Sequence, residues 1–172
     1  YTVTGTDANG CTNTATIEIT LSNNPTLNVT ATPASICAGQ SSVLTSAGAT
    51  SYTWTPVAGL SATTGATVTA TPSATTTYSV SGLNAAGCQA SGTVVVTVNA
   101  IPVVSVNPVS ATFCVGQSAN VTASGATTYS WAPATGLNTS TGATVTANPT
   151  VTTTYTVTGS SGPNCTDTET IV

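Results

Sequence analysis

The sequence contains no Lys, no Arg, no His and no Met, and its only charged side chains are Asp7, Glu18, Asp167 and Glu169. Nucleic-acid binding and attraction to anionic lipid both need basic residues, so this composition excludes both. General acid–base work at neutral pH wants His, Lys or a tuned carboxylate, and a Ser or Cys nucleophile needs a base beside it. The chain is therefore expected to have no catalytic residues, no metal site and no cofactor. Lys–Asn isopeptide cross-links are impossible without Lys. No apolar run approaches the ~20 residues of a membrane helix, and no segment has helical periodicity. The first residues lack a signal-peptide pattern, so export is expected to be directed by segments outside this stretch.

What the chain has in abundance is Thr, about a quarter of its residues; with Ser and Asn it must hydrate the surface in place of charge. It also has a period. Ser51-Tyr52-Thr53-Trp54-Thr55-Pro56 returns 77 residues later as Thr128-Tyr129-Ser130-Trp131-Ala132-Pro133. Cys11, Cys88 and Cys165 obey the same spacing, as do Tyr1, Tyr78 and Tyr155, and Cys37 with Cys114. Residues 24–95 align with 101–172 without a gap, with roughly half the positions identical. A fixed period of this size means repeated modules, each large enough for one modest core. The expected division is a C-terminal hairpin of a truncated module at 1–23, one module at 24–100 and a second at 101–172 whose last strand is cut short. The acidic residues do not follow the period: Asp7 aligns with Asn84 and Ser161, Asp167 with Ala90 and Asn13. A repeated calcium site is therefore not expected.

Along the chain the pattern is that of short strands. Tyr1–Gly5 alternates, Asp7-Ala8-Asn9-Gly10 is turn chemistry, and Ile17, Ile19 and Leu21 read as an alternating final strand. Leu27, Val29 and Ala31 share a face until Pro33 breaks the strand, and Ile36-Cys37 leads into a turn at Ala38-Gly39-Gln40. Leu44 points inward from the next strand, where the second module has Ala119, Val121 and Ala123. Tyr and Trp two residues apart then share a strand face. The last hairpin turns at Ala85-Ala86-Gly87 and buries Val94, Val96 and Val98. Six or seven such strands in under 80 residues describe a two-sheet antiparallel sandwich. Core roles follow for Tyr52, Trp54, Tyr78, Tyr129, Trp131 and Tyr155, with Tyr1 and Phe113 also on inward positions. Tyr78 and Tyr155 are placed to form tyrosine corners. That leaves no aromatic to spare for stacking on a sugar.

The strings Ile36-Cys37-Ala38-Gly39-Gln40-Ser41, Tyr52-Thr53-Trp54-Thr55-Pro56, Thr64-Gly65-Ala66-Thr67-Val68-Thr69-Ala70, Thr77-Tyr78-Ser79-Val80 and Asn9-Gly10-Cys11 resemble one motif set. It is that of the Ig-like tandem repeats in very large surface proteins of bacteria with type IX secretion, gliding species among them. The resemblance covers essentially the whole chain. It implies an extracellular, cell-surface location and an all-β, extended array of Ig-like sandwiches acting as a stalk, fibre or adhesin spacer. The implied partners are neighbouring modules of the same chain or identical chains in a fibre. Gly162-Pro163-Asn164-Cys165 departs from the family's Asn-Gly-Cys turn and points to a wider last hairpin. The alternative function is a binding module whose inter-strand loops, or rows such as Thr67-Val68-Thr69, grip a glycan, a partner protein or ice. Asn28, Asn120, Asn138 and Asn164 begin Asn-x-Thr/Ser sequons, a short pattern with little specificity.

Five cysteines in a chain that looks extracellular are expected to form disulfides. Two pairings stand open. Cys37–Cys88 with Cys114–Cys165 would bridge within modules. In an Ig-like topology, however, Cys37 lies at the turn after the first strand and Cys88 at the last hairpin, at opposite ends of a strand of about eight residues, or ~25 Å. Bridged Cα atoms lie within about 7 Å. A head-to-tail array would instead bring Cys37 to Cys165 across the joint, the preferred pairing, and leave Cys11, Cys88 and Cys114 to pair outside this stretch.

Overall fold

A computed structural model describes all residues, Tyr1–Val172. It contains fifteen β-strands and no helix. Strands β1 (Thr2–Thr6) and β2 (Thr12–Thr16) pair as an antiparallel hairpin. The Asp7 carboxylate closes its turn, one oxygen accepting the N–H groups of Asn9 and Cys11 at 2.8 and 2.9 Å. This carboxylate is therefore a turn residue. The expected continuation through Ile17, Ile19 and Leu21 does not form: β2 stops at Thr16, and these side chains are 65%, 65% and 98% exposed. Tyr1, expected inward, is 85% exposed. The physical reason is common to all four. Alternation creates an apolar face, but a two-stranded hairpin has no second sheet to cover it.

The first sandwich packs a three-stranded sheet on a four-stranded one. β3 (Asn28–Thr32), β5 (Ser42–Ala47) and β7 (Thr67–Ala70) form one layer in the order β3-β5-β7. The other has the order β4-β9-β8-β6, from β4 (Ser35–Cys37), β9 (Gln89–Asn99), β8 (Thr76–Leu83) and β6 (Ser51–Thr55). Alternating side chains meet between the layers: Leu44 and Val68 from one, Ile36, Trp54, Tyr78, Val80 and Val96 from the other, all nearly or fully buried. The purely antiparallel reading needs one correction. At Pro33, which has no N–H to continue a ladder, the chain leaves the β3 layer and crosses to the other sheet. There Ser35–Cys37 pairs with Thr97–Asn99 in parallel.

The second sandwich repeats this plan one period on. β10 (Ser105–Asn107), β11 (Ala119–Ser124) and β13 (Thr144–Ala147) face β12 (Thr128–Ala132), β14 (Tyr155–Gly162) and β15 (Cys165–Ile171). The register is conserved across the repeat, with Trp54 opposite Val80 and Trp131 opposite Val157. Its core of Val104, Val121, Ala123, Trp131, Val145, Tyr155, Val157 and Ile171 is separate from the first. Two local features differ. Thr112–Cys114 forms no strand where the first sandwich has β4, so Phe113 is only half-buried. The last hairpin is narrower, not wider, than its counterpart: Gly162 pairs with Cys165 across Pro163-Asn164, whereas Leu83 pairs with Gln89 across five residues. Asn164 makes the tight turn by adopting a left-handed φ of 60°, which Asn tolerates better than most residues.

Candidate functional site: the stapled joint

The chain leaves the first sandwich at Asn99 and enters the second near Val104. Because β4 runs parallel to β9, Cys37 stands beside Asn99 at that exit, and the Ala38 N–H donates to the Asn99 carbonyl at 2.9 Å. From the other side comes the β14–β15 hairpin, whose first β15 residue is Cys165. The two sulfurs are bonded, with a Cα–Cα separation of 5.4 Å. Both residues are buried, so the joint shields the disulfide from solvent. The within-module pairing is not the one joined. Cys88 precedes Gln89 at the opposite end of β9, eleven residues and roughly 35 Å of strand from Asn99.

Polar contacts set the joint around this bond. The Ser161 hydroxyl donates to the Ala100 carbonyl. The Asn99 amide donates to the Ser35 hydroxyl at 2.8 Å, and Gly162 lies so close that an added Cβ would come 2.6 Å from Asn99 Nδ2. Asp167 has a local task, accepting the Val104 N–H at 2.8 Å and so fixing the first residues of the second sandwich. Composition gave no signal for that role. A cleft of about 420 Å³ runs along the joint between Pro33, Ile36, Gln40 and Ile101, Asn164, Thr166. Three cysteines are free: Cys11 and Cys114 are exposed and Cys88 is half-buried.

Of the aromatic residues assigned to the core, Tyr52, Trp54, Tyr78, Trp131 and Tyr155 are buried and Tyr129 is half-buried against it, and their polar atoms bond to the backbone as well. Trp54 and Trp131 indole N–H groups donate to the carbonyls of Gly65 and Gly142 at 2.9 and 3.0 Å. The tyrosine-corner expectation is redistributed. Tyr78 and Tyr155 reach carbonyls twenty residues upstream, Ala58 at 3.0 Å and Thr135 at 2.7 Å. The short-range bond belongs instead to Tyr52 and Tyr129, whose hydroxyls contact the backbone of Ala49 and Ala126 three residues earlier. Burial raises the Tyr78 and Tyr155 hydroxyls above the usual tyrosine range. No group of three or more Cys, Asp or Glu converges that could hold a metal ion. The four sequon asparagines are exposed, but the Asn120 and Asn138 side chains accept hydrogen bonds from Thr146.

This architecture is the Ig-like β-sandwich, and solved structures share it. A C-terminal fragment of intimin, in complex with the intimin-binding domain of its translocated receptor, aligns over 87% of this chain and 64% of its own length. Its TM-score is 0.59, at 20% identity. Eight N-terminal Ig domains of the Down syndrome cell adhesion molecule align over 79% of this chain and 25% of theirs, with TM-score 0.51 and 18% identity. The complex of a mouse coronavirus receptor-binding domain with its murine receptor aligns over 85% of this chain and 98% of that one, with TM-score 0.51 and 11% identity. The chain thus spans less than two thirds of the intimin fragment and a quarter of the adhesion-molecule chain. No protein-family model and no curated protein sequence matches it.

Proposed function

We propose that this chain is a spacer segment of a long extracellular surface protein, in which Ig-like modules of the 77-residue repeat stand in series and hold a distal part away from the cell. The observation that carries this reading is the joint, where a buried disulfide ties one sandwich to the next and the Ser161–Ala100 bond fixes the connecting segment against the second. A surface nearly free of charge, with its core aromatics turned inward, offers little for ligand recognition and suits a shaft. The likeness to repeat-bearing surface proteins of bacteria with type IX secretion, and the disulfide itself, favour an exported location. The partners in this reading are neighbouring modules.

Small-angle scattering tests the reading directly. With the disulfide intact, the chain is expected to scatter as one extended, semi-rigid particle, and Cys37→Ser is expected to broaden its distance distribution. Freely reorienting sandwiches in the oxidised protein would overturn the spacer.

A further inference from the structure

An edge strand offers unpaired N–H and C=O groups to any strand that can add to it, and most edges of the two sandwiches carry a device that blunts them. One loop closes the side of β6 and β7: the Trp54 N–H donates to the Thr63 carbonyl at 2.7 Å, and the Ser61 N–H to the Thr69 carbonyl at 2.8 Å. Its repeat closes β12 and β13 in the same way, Trp131 donating to Ser140 at 2.8 Å and Asn138 to Thr146 at 3.0 Å. At the other side β3, β4 and β10 are five, three and three residues long. β3 and β10 stop at Pro33 and Pro108, and short strands ended by Pro are poor templates. β15 is longer, but Asp167 and Glu169 stand on its core-facing side, opposite Gly159 and Val157. A strand added there would have to lie beside two inward carboxylates.

β9 has none of these devices. It runs eleven residues without Pro or charge, and Ala90 and Gly92 stand where β15 has Asp167 and Glu169. β4 covers only its last three residues, Thr97–Asn99. The bonds at that end show which groups face outward: the Thr97 N–H donates to the Ala34 carbonyl, and the Asn99 carbonyl accepts from the Ala38 N–H, both at 2.9 Å. By the two-residue alternation of a strand, Gln89, Ser91, Thr93 and Val95 direct their N–H and C=O groups to the same edge, where no other strand lies. Their side chains are exposed on the outer face of the sheet, Val95 by 46%.

We propose that this edge pairs with the same edge of a second copy of the chain, β9 against β9 and antiparallel, joining two four-stranded sheets into one. The occupant that matches an uncharged edge is an uncharged strand with the same alternation, and this chain carries one. A twofold axis at Gly92, the middle of the free span, sets Gln89 against Val95 and Ser91 against Thr93. Core-side residues stay on the core side of both sheets, and no charge meets a like charge. β15 cannot pair in this way. Joined to itself about Thr168, it would set Asp167 of each copy against Glu169 of the other, and like charges directly opposite destabilise a sheet. One edge is thus open, and its repeat is closed by two of the four carboxylates in the chain. The contact runs along the sides of the sandwiches and not across the joint, so it goes beyond the spacer reading and does not depend on it.

The test uses the 172-residue protein with Cys11, Cys88 and Cys114 changed to Ser, so that no free thiol links chains. Sedimentation equilibrium over a concentration series is expected to show monomer and dimer in equilibrium. The backbone amides of Ser91 and Thr93 are expected to exchange with deuterium more slowly as the dimer forms. Ser91→Lys with Thr93→Lys sets like charges across the seam at exposed positions and is expected to weaken dimerisation about tenfold or more. Ser91→Lys with Thr93→Asp faces the introduced lysine of each copy with the introduced aspartate of the other and is expected to recover it. A chain that stays monomeric overturns the proposal and leaves the edge to an extended strand of another protein. Dimers that ignore the paired lysines, or a lysine–aspartate variant no more dimeric than the lysine–lysine one, overturn it as well.

Discussion

Cys37 and Cys165 are 128 positions apart in sequence and 5.4 Å apart at their Cα atoms. A pull applied at the two chain ends therefore crosses from Cys37 to Cys165 through the disulfide, and most of both sandwiches lies in the loop that the force bypasses. The covalent bond carries load that hydrogen bonds between strands would otherwise bear. Single-molecule stretching of the oxidised chain is expected to yield only the short segments outside the loop. A reducing agent is expected to add on the order of 400 Å of contour when the sandwiches unfold. Equal extension in the two states would remove the mechanical role of the bond.

Gly48 and Gly125 are the glycines least able to change. Their φ angles are 104° and 95°, and an added Cβ would overlap the carbonyl oxygens of Thr26 and Val103, where the first strand segment passes beneath the turn. Backbone cannot move aside as a flexible side chain can. Gly48→Ala or Gly125→Ala is expected to cost about 3 kcal/mol or more. Gly87→Ala, with φ 81° and open space around it, is expected to cost only ~1 kcal/mol of left-handed strain. Urea denaturation of the three variants checks the order, and equal costs would contradict it.

Trp54 and Trp131 each seal a different core, and the two cores share no buried residue. Trp54→Phe leaves the Gly65 carbonyl without its donor, at a cost of ~1–3 kcal/mol, and Trp54→Ala raises the loss to ~3–5 kcal/mol. The same change makes Trp131 the sole tryptophan, so its fluorescence reports the second sandwich alone. That transition is expected to hold its midpoint in Trp54→Phe while the circular-dichroism transition of the first moves to lower urea. Movement of both by the same amount would show that the sandwiches unfold as one unit.

Much of this architecture was legible because repetition doubles every local signal. Tyr52 and Trp54 two residues apart marked a strand face, and the same pair at Tyr129 and Trp131 marked it again. Strand length alone pointed away from a Cys37–Cys88 bond, since one strand separates the ends where those residues sit. Other features carried no such signal. The sheet switch at Pro33 and the parallel β4–β9 pairing involve only three residues, too few for any period. Alternation placed Tyr1, Ile17, Ile19 and Leu21 on one face but could not tell whether a second sheet would cover it. Gly162-Pro163-Asn164 looked like a longer loop because its tightness depends on the left-handed φ of Asn164, a backbone property. The partner of a buried hydroxyl is equally invisible in sequence. Tyr78 could bond near or far, and the loop folded back at Ala58 decided it.

Those two far-reaching tyrosines give the chain its alkaline limit. Tyr78 and Tyr155 are 0% and 4% exposed, and each hydroxyl donates to a backbone carbonyl. Desolvation raises both above the ordinary tyrosine range, a hydrogen bond with Thr153 offsetting part of the rise at Tyr155. A group whose folded pKa is raised favours the folded state fully below its unfolded pKa, and that contribution is lost as pH rises through the folded value. Stability is therefore expected to be unaffected by these groups up to about pH 10 and to fall above it, as the unfolded chain ionises first. The measurement is the urea midpoint from neutral to strongly alkaline pH, with Cys11, Cys88 and Cys114 replaced by Ser to prevent thiolate exchange. Tyr78→Phe and Tyr155→Phe are expected to lower the neutral-pH stability by ~1 kcal/mol each through the lost hydrogen bond and to flatten the alkaline decline. An alkaline slope unchanged in the double variant would assign the decline to other groups.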